Sequence, residues 1–241
     1  MRGLERHLAR VSSRHPLTAE ERAAIQGMTG EERVLPKRIT AVREGVKLNH
    51  SILLLEGMMC RAKMLGNGRR YVAELQISGD FVDLHGFTLK RLEHDIETLT
   101  ACTVKMVPHA KLDAMFRQFP RLARIYWFHN NVDAANHREW ALSLAQRSGP
   151  ERVAALFCEL LIRFQIVGLA EHNRFRLPLT QVDLGEHLGL TPIHINRVLR
   201  QLRETQLVTF RNGIAEIHDL PRLREFANFD DRYLYLDPDP L

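Results

Sequence analysis

The spacing of apolar residues changes three times along the chain, and each change marks a different kind of element. Up to about residue 33 the pattern is a helical lead-in. Thr18 is placed to cap a helix over 19–25, with Glu20 and Glu21 in the first turn, where the positive end of a helix favours acids. From Val34 to about Val107, short β-type runs alternate with turn residues at Arg43-Glu44-Gly45, Glu56-Gly57, Asn67-Gly68 and Ser78-Gly79-Asp80. Strands at this regular spacing predict a small all-β barrel or roll. Residues 51–55 are almost wholly apolar and are expected as its central strand, and Asn67-Gly68 predicts a tight hairpin. From about His109 the period becomes helical. Pro120 starts a long helix running to about Arg147, along which Leu122, Ile125, Phe128, Val132, Ala135 and Leu142 fall on three-and-four spacing, with a break at Glu139. That stripe has the form of a two-helix seam, leaving Trp127, Trp140 and Leu144 on another face to pack against the roll. Ser148-Gly149-Pro150 interrupts the helix as a hinge, and residues 151–169 form a further apolar helix.

The densest pattern follows a short strand at Phe175-Arg176-Leu177. Thr180 caps a helix with Asp183 three residues on, and Leu184 and Leu188 share its inner face, where Gly185 admits a close neighbouring helix. Gly189-Leu190 breaks that helix. A second begins with Thr191 as cap and Pro192 at its first position, where a missing N–H costs nothing, and buries Ile195, Val198, Leu199 and Leu202. Two short helices across a glycine turn make a helix-turn-helix. The outer face of the second offers Pro192, Ile193, His194, Asn196, Arg197, Arg200 and Gln201, with no acid from 191 to 203. A helix that enters a major groove needs such a face, with donors for base edges and cations for phosphates. The apolar runs 207–210 and 214–217 flank Asn212-Gly213, a strong hairpin signal, so a wing follows the second helix. A terminal helix is expected over 219–229 with Leu223 and Phe226 inward, and residues 237–241 are expected to fray.

Composition adds little to this picture but removes alternatives. With 241 residues there is room for two modest domains, and the formal charge of +5 suits a polyanionic partner. No apolar run reaches bilayer length and no secretory leader is visible, so the expected compartment is the cytoplasm, with no membrane partner. Cys60, Cys102 and Cys158 are widely separated and form no metal-binding spacing; they are expected as buried thiols. No catalytic motif is present, so the chain is not expected to be an enzyme. The nearest acid–base pair, Asp83 and His85, has strand spacing and better suits a pocket wall. No metal or cofactor is expected. An adaptor whose winged helix binds protein, or an enzyme, is the alternative of a different class, and haem sensing through His50, His85, His94, His129 or His137 stays open.

Roll, long helix, hinge and winged helix, in that order, resemble the bacterial Crp/Fnr family of transcription regulators from about residue 34 to 218. The most specific marks are Gly79-Asp80-Phe81 and the run from Leu179-Thr180-Gln181 through Asn196-Arg197-Val198-Leu199. The resemblance implies an α+β fold with a cyclic-nucleotide-binding-like β-roll over residues 1–119, a dimerisation helix at 120–147, a hinge at 148–150 and a winged helix-turn-helix at 151–241. It implies a homodimer that meets at Ile125, Phe128, Val132, Ala135 and Leu142, binds a pseudo-palindromic duplex and works with RNA polymerase. Arg197 matches the family arginine that forks onto guanine, and Thr180, Gln181, Thr191, His194 and Arg200 match or neighbour phosphate-holding positions. Ile193 departs from the pattern, because many members carry a glutamate there that reads cytosine. The resemblance also places an effector pocket at Asp83, Leu84, His85, Leu92, Glu93, His137 and Arg138. Where nucleotide-binding members hold the cyclic phosphate with an Arg-Ser pair, this chain has Leu92-Glu93, which reverses the electrostatics. The effector is therefore an unknown small molecule and not cyclic AMP, with a cyclic-nucleotide- or haem-responsive regulator as the alternative.

Overall fold

The computed structural model describes residues 3–237; of the expected frayed tail, residues 238–241 lie outside the described residues. Two helices come first, α1 (Leu4–Ser12) and α2 (Ala19–Gln26). Thr18 caps α2 through a reciprocal box: its hydroxyl accepts from the Glu21 N–H at 3.2 Å, and the Glu21 carboxylate accepts from the Thr18 N–H at 2.9 Å. The strands β1 (Glu31–Leu35), β2 (Thr40–Val42), β3 (His50–Glu56), β4 (Met58–Met64) and β5 (Arg70–Ile77) follow, then the single-turn helix α3 (Gly86–Leu89), β6 (Asp95–Thr98) and β7 (Cys102–Pro108). They form two sheets in the orders β1-β7-β3 and β2-β6-β4-β5. Ile52, Leu53 and Leu54 are fully buried, and although β7 is the middle strand of the named sheet, the other edge of β3 is also hydrogen-bonded: Leu54 C=O accepts from the Gly79 N–H, the Leu54 N–H donates to Asp80 C=O, and Ile52 C=O accepts from the Val82 N–H. The strand expected as central at 51–55 is thus buried and hydrogen-bonded along both edges, by β7 on one side and by residues 79–82 on the other.

The helices α4 (His109–Gln118), α5 (Pro120–Gln146) and α6 (Gly149–Ile166) come next, and only residues 147–148 separate the last two. Ser148 caps α6 with Glu151 in a second capping box. The remaining elements are β8 (Ala170–Glu171), β9 (Arg174–Arg176), α7 (Gln181–Leu188), α8 (Pro192–Glu204), β10 (Val208–Arg211), β11 (Ile214–Ile217), α9 (Leu220–Phe226) and a 3-10 turn at Arg232–Leu234. The last four strands make one small sheet in the order β10-β11-β9-β8.

The chain divides into two compact units. One holds residues up to Lys63, Ala73–Ala134 and those from Tyr235; the other holds Met64–Val72 and Ala135–Leu234. The first has two apolar clusters. Ile52, Leu54, Met59, Val82, Ile96 and Val104 fill the roll, while Leu8, Val11, Ile25, Leu53, Leu122 and Ile125 join α1, α2 and α5 to one end of it. In the second unit α6 supplies the core through Val153, Phe157, Leu160 and Leu161, all fully buried. The tip of the β4–β5 hairpin belongs to this second unit, where Val72 C=O accepts from His187 Nδ1 at 3.0 Å and Arg70 pairs with Glu186. All three cysteines are buried, and none of them is in a disulfide.

The long helix corrects the expected seam. Ile125, Val132 and Ala135 are buried within their own chain, and Phe128 is half-buried with its ring 4.7 Å from that of His15. Leu142 alone of the five is fully exposed, at 50%. The open stripe is rotated: Trp127, Asn131, Ala134, Arg138, Ala141 and Ala145 are exposed at alternating spacings of four and three, and Trp127 is 68% exposed. The expectation failed because the α1–α2 lead-in packs on the more apolar stripe, which hydrophobicity alone assigns to a partner. Trp140 does turn inward, and its indole N–H donates to Glu159 at 2.7 Å.

Candidate nucleic-acid interface

The chain from Thr180 to Gly213 folds as its local chemistry dictates. Thr180 caps α7: its hydroxyl accepts from the Asp183 N–H at 3.1 Å, and the Asp183 carboxylate takes both the Thr180 N–H and its hydroxyl at 2.7 Å. Gly189 ends α7 in the left-handed region at φ 67°. Gly185 serves this turn and not a neighbouring helix, because a Cβ there would lie 2.5 Å from the Leu190 carbonyl oxygen. Thr191 caps α8, accepting from the His194 N–H at 3.2 Å, and Pro192 takes the first turn. Ile195, Val198, Leu199 and Leu202 form its buried side. Asn212 and Gly213 have φ of 52° and 70°, the two positive values that a type I′ hairpin requires, so β10 and β11 form the wing.

The outer face of α8 is open. Thr191, Pro192, Asn196, Arg197, Arg200 and Gln201 are exposed, and Ile193 is 84% exposed, an unusual position for a large apolar side chain with no purpose in the core. Arg200 has only a loose contact with Glu204, at 3.8 Å. Two assigned side chains are less free than the sequence implies. The Thr180 hydroxyl is committed to Asp183. His194 is half-buried: a Cβ on Gly149 would lie 3.0 Å from its Nε2, so its ring rests against the first turn of α6. The Asn196 amide donates to Gln181 Oε1 at 3.5 Å, which links α8 to the start of α7. Between α8 and the wing lies a concave surface to which Arg200, Arg203, Arg211 and Asn212 contribute. Arg203 and Arg211 were missed by sequence reasoning. The position of Arg211, immediately before the Asn-Gly turn, was the available signal.

The expected effector set is divided between the two units, with Asp83, Leu84, His85, Leu92 and Glu93 in the first and His137 and Arg138 in the second. Asp83 is not a pocket wall: it is fully buried, and its Oδ1 accepts from the Ile52 N–H at 2.6 Å, pinning the roll. Burial pushes its carboxyl up to about 7, against the pull of that N–H and of Arg61. Arg61 itself is buried, pairs with Glu74 and reaches Asp133 at 2.7 Å. Leu92 belongs to the roll core. Glu93 is exposed and pairs with His94 Nδ1 at 3.1 Å. The His85 ring lies 5.4 Å from that of His94, and burial, with Arg61, lowers it to about 3. His137 packs beside Trp140, and Arg138 is exposed. Among the described residues no group of three or more His, Cys, Asp or Glu side chains is placed to hold a metal ion.

Comparison with known proteins agrees with the architecture. The family model of the Crp-like helix-turn-helix domain matches residues 151–226. The transcriptional activator protein Anr of Pseudomonas protegens is 22% identical over 204 residues, covering 85% of this chain and 82% of its own. The transcriptional activator protein FnrL of Cereibacter sphaeroides is 25% identical over 197 residues, covering 79% and 78%. Among solved structures, FixK2 from Bradyrhizobium japonicum superposes with a TM-score of 0.75 at 22% identity, covering 82% of this chain and 97% of that one. Roll, long helix and winged helix-turn-helix are thus the architecture of these regulators: residues 151–226 match the Crp-like helix-turn-helix domain, and the chain is similar over most of its length to transcriptional activators of the Anr and Fnr type.

Proposed function

We propose that the protein works as a homodimer that places two copies of α8 in successive major grooves of a pseudo-palindromic operator, roughly 34 Å apart. The observation that carries this reading is the open, acid-free face of α8, with Arg197 exposed at its centre and Ile193 projecting near its start. Arg197 forks onto a guanine. Ile193 has no acceptor for cytosine N4 and instead meets a thymine methyl, so the operator differs from glutamate-read sites at that base pair. Arg200, with Arg203 and Arg211 from the same concavity, takes backbone phosphates, and Gln181 with Asn196 fixes the register of α7. Thr180 and Thr191 contribute at the two helix starts. RNA polymerase is the further partner, and the setting is the cytoplasm, with the chromosome. No helix among the described residues is long and apolar enough to cross a membrane.

The dimer forms along Trp127, Asn131, Ala134, Arg138, Ala141 and Ala145, a heptad-like stripe in which three alanines permit close helix approach. An effector acts by biasing this seam and the hinge at 148–150, shifting the population competent for DNA. Cyclic AMP does not fill that role, because Leu92 is core and Glu93 is anionic. Mobility shifts on duplex DNA across a salt series test the proposal. Arg197→Ala loses about 1–3 kcal/mol and relaxes one base position, while Arg200→Ala weakens every sequence alike and flattens the salt slope. A wild-type protein with salt-independent or undetectable DNA binding would overturn it.

A further inference from the structure

The outward stripe of α8 carries Ile193, Asn196, Arg197 and Arg200 at positions i, i+3, i+4 and i+7, and all four are exposed. Asn196 is tied to the neighbouring helix. Its Nδ2 donates to the Oε1 of Gln181, the first residue of α7, at 3.5 Å. Both ends of that contact are held in place. The Thr180–Asp183 capping box fixes the start of α7, and Ile195, Val198 and Leu199 bury the opposite side of α8. The tight turn between the helices, in which the Leu190 N–H donates to Gly185 C=O at 2.9 Å, sets one against the other. Asn196 and Gln181 also line the concave surface beside the wing, about 460 Å³, so the amide is open to a ligand from that side. The chemistry of the amide then decides what it reads. A primary amide has two N–H donors and one acceptor oxygen. One N–H is engaged by Gln181, which leaves one donor and the oxygen. In the major groove adenine presents the complement of that pair, with N7 accepting and N6–H donating. Guanine presents two acceptors, so the Asn196 oxygen would face O6 unpaired. Cytosine offers only a donor, and thymine only an acceptor beside its methyl, so each leaves half of the amide unmet.

We infer that Asn196 reads an adenine beside the guanine taken by Arg197, and that Gln181 is its positioning residue, holding the amide so that the matching donor and acceptor face the base. Ile193, Asn196 and Arg197 then select a thymine, an adenine and a guanine within one half-site, with Arg200 beyond them on the backbone. This assignment rests on α8 lying in the major groove, and adds which base a further side chain selects there. A carboxylate at position 196 has no donor for adenine N7 and accepts from cytosine N4–H, so Asn196→Asp changes the preferred base as well as weakening binding.

The test uses the full chain and the half-site that wild type selects from random duplex DNA, with each of the four base pairs placed in turn beside the Arg197-dependent guanine. Wild type prefers adenine there by on the order of tenfold or more. Asn196→Ala reduces the preference to about twofold or less and leaves the guanine dependence intact. Gln181→Ala keeps Asn196 and lowers the preference several-fold, because the amide is no longer held. Gln181→Glu still accepts from the amide and restores the preference, although its charge weakens binding to every sequence alike. Asn196→Asp favours cytosine. These variants alter exposed or half-buried side chains, and a melting temperature like that of wild type shows each to be folded. The inference falls if the position shows no adenine preference, if the preference survives in Asn196→Ala, or if Gln181→Ala leaves it unchanged. In each of those cases the guanine that Arg197→Ala abolishes is still selected, so only the roles of Asn196 and Gln181 are lost. If wild type selects no sequence at all, the groove reading itself fails and this assignment falls with it.

Discussion

Glu159 on α6 is a buried carboxylate, 2% exposed, and it collects three donors: Trp140 Nε1 at 2.7 Å, the Tyr233 hydroxyl at 2.9 Å and Arg163 Nη1 at 3.0 Å. Arg163 is itself only 6% exposed, so Glu159→Ala takes from a buried guanidinium and from an indole N–H the carboxylate that they share. Removing one partner of a buried ion pair costs about 3–5 kcal/mol, mostly because the other charge is stranded. For a unit of this size about 4 kcal/mol corresponds to a fall in melting temperature of roughly 15 °C or more. Glu159→Gln keeps an acceptor for Trp140 and Tyr233 and loses only the charge, so it should fall about half as far. The double variant Glu159→Leu/Arg163→Met, which removes both charges and keeps the volume, should recover much of the loss. Urea and thermal denaturation followed by tryptophan fluorescence report on this directly, since Trp140 sits in the network. The reasoning is refuted if Glu159→Ala costs less than about 1 kcal/mol, or if the double variant is no better than the single.

Ala134→Glu sets a charge in the middle of the open stripe and should yield a folded monomer by sedimentation, whereas the same change at an exposed residue off the stripe, such as Arg117, leaves the dimer intact. Gly185→Val forces a side chain into the 2.5 Å gap before the Leu190 carbonyl; destabilisation of roughly 1–3 kcal/mol with a larger loss of DNA affinity is expected, and unchanged melting and binding would count against the turn geometry. His7, lowered by burial from 6.5 to about 4, resists protonation in the folded state. Its contribution is therefore complete above about pH 6.5 and drains away as pH falls towards 4, by on the order of 3 kcal/mol at the lower end. Urea midpoints from pH 4 to 8 should drop on the acid side for wild type and drop less steeply in His7→Gln, the remaining slope coming from His85 and His129, which burial also lowers.

The C-terminal domain was the most legible part of the sequence because its elements are specified locally. Caps at Thr180 and Thr191, the glycine stop at 189 and the Asn212-Gly213 turn each depend on residues a few positions apart. The seam was not legible in the same way. Which stripe of α5 is covered depends on α1 and α2, more than a hundred residues away in sequence, and α1 itself was folded into a vague lead-in although Leu4, Leu8 and Val11 have helical spacing. The effector residues failed for a related reason: alignment to a family places Asp83 and Leu92 by position, but whether they face a pocket or the core depends on packing. His7 and Arg10 on α1 carried no sequence signal, and His129 on α5 was one histidine among several, since isolated histidines and arginines stand out only when a fold brings their helices together.

The most direct test of the central claim is selection of bound sequences from a pool of random duplex DNA, run in parallel with wild type and Arg197→Ala. Wild type should enrich an inverted repeat whose half-sites are about one helical turn apart, each with a guanine that Arg197→Ala no longer requires. No enriched sequence, lone half-sites without a repeat, or a motif unchanged by Arg197→Ala would contradict it.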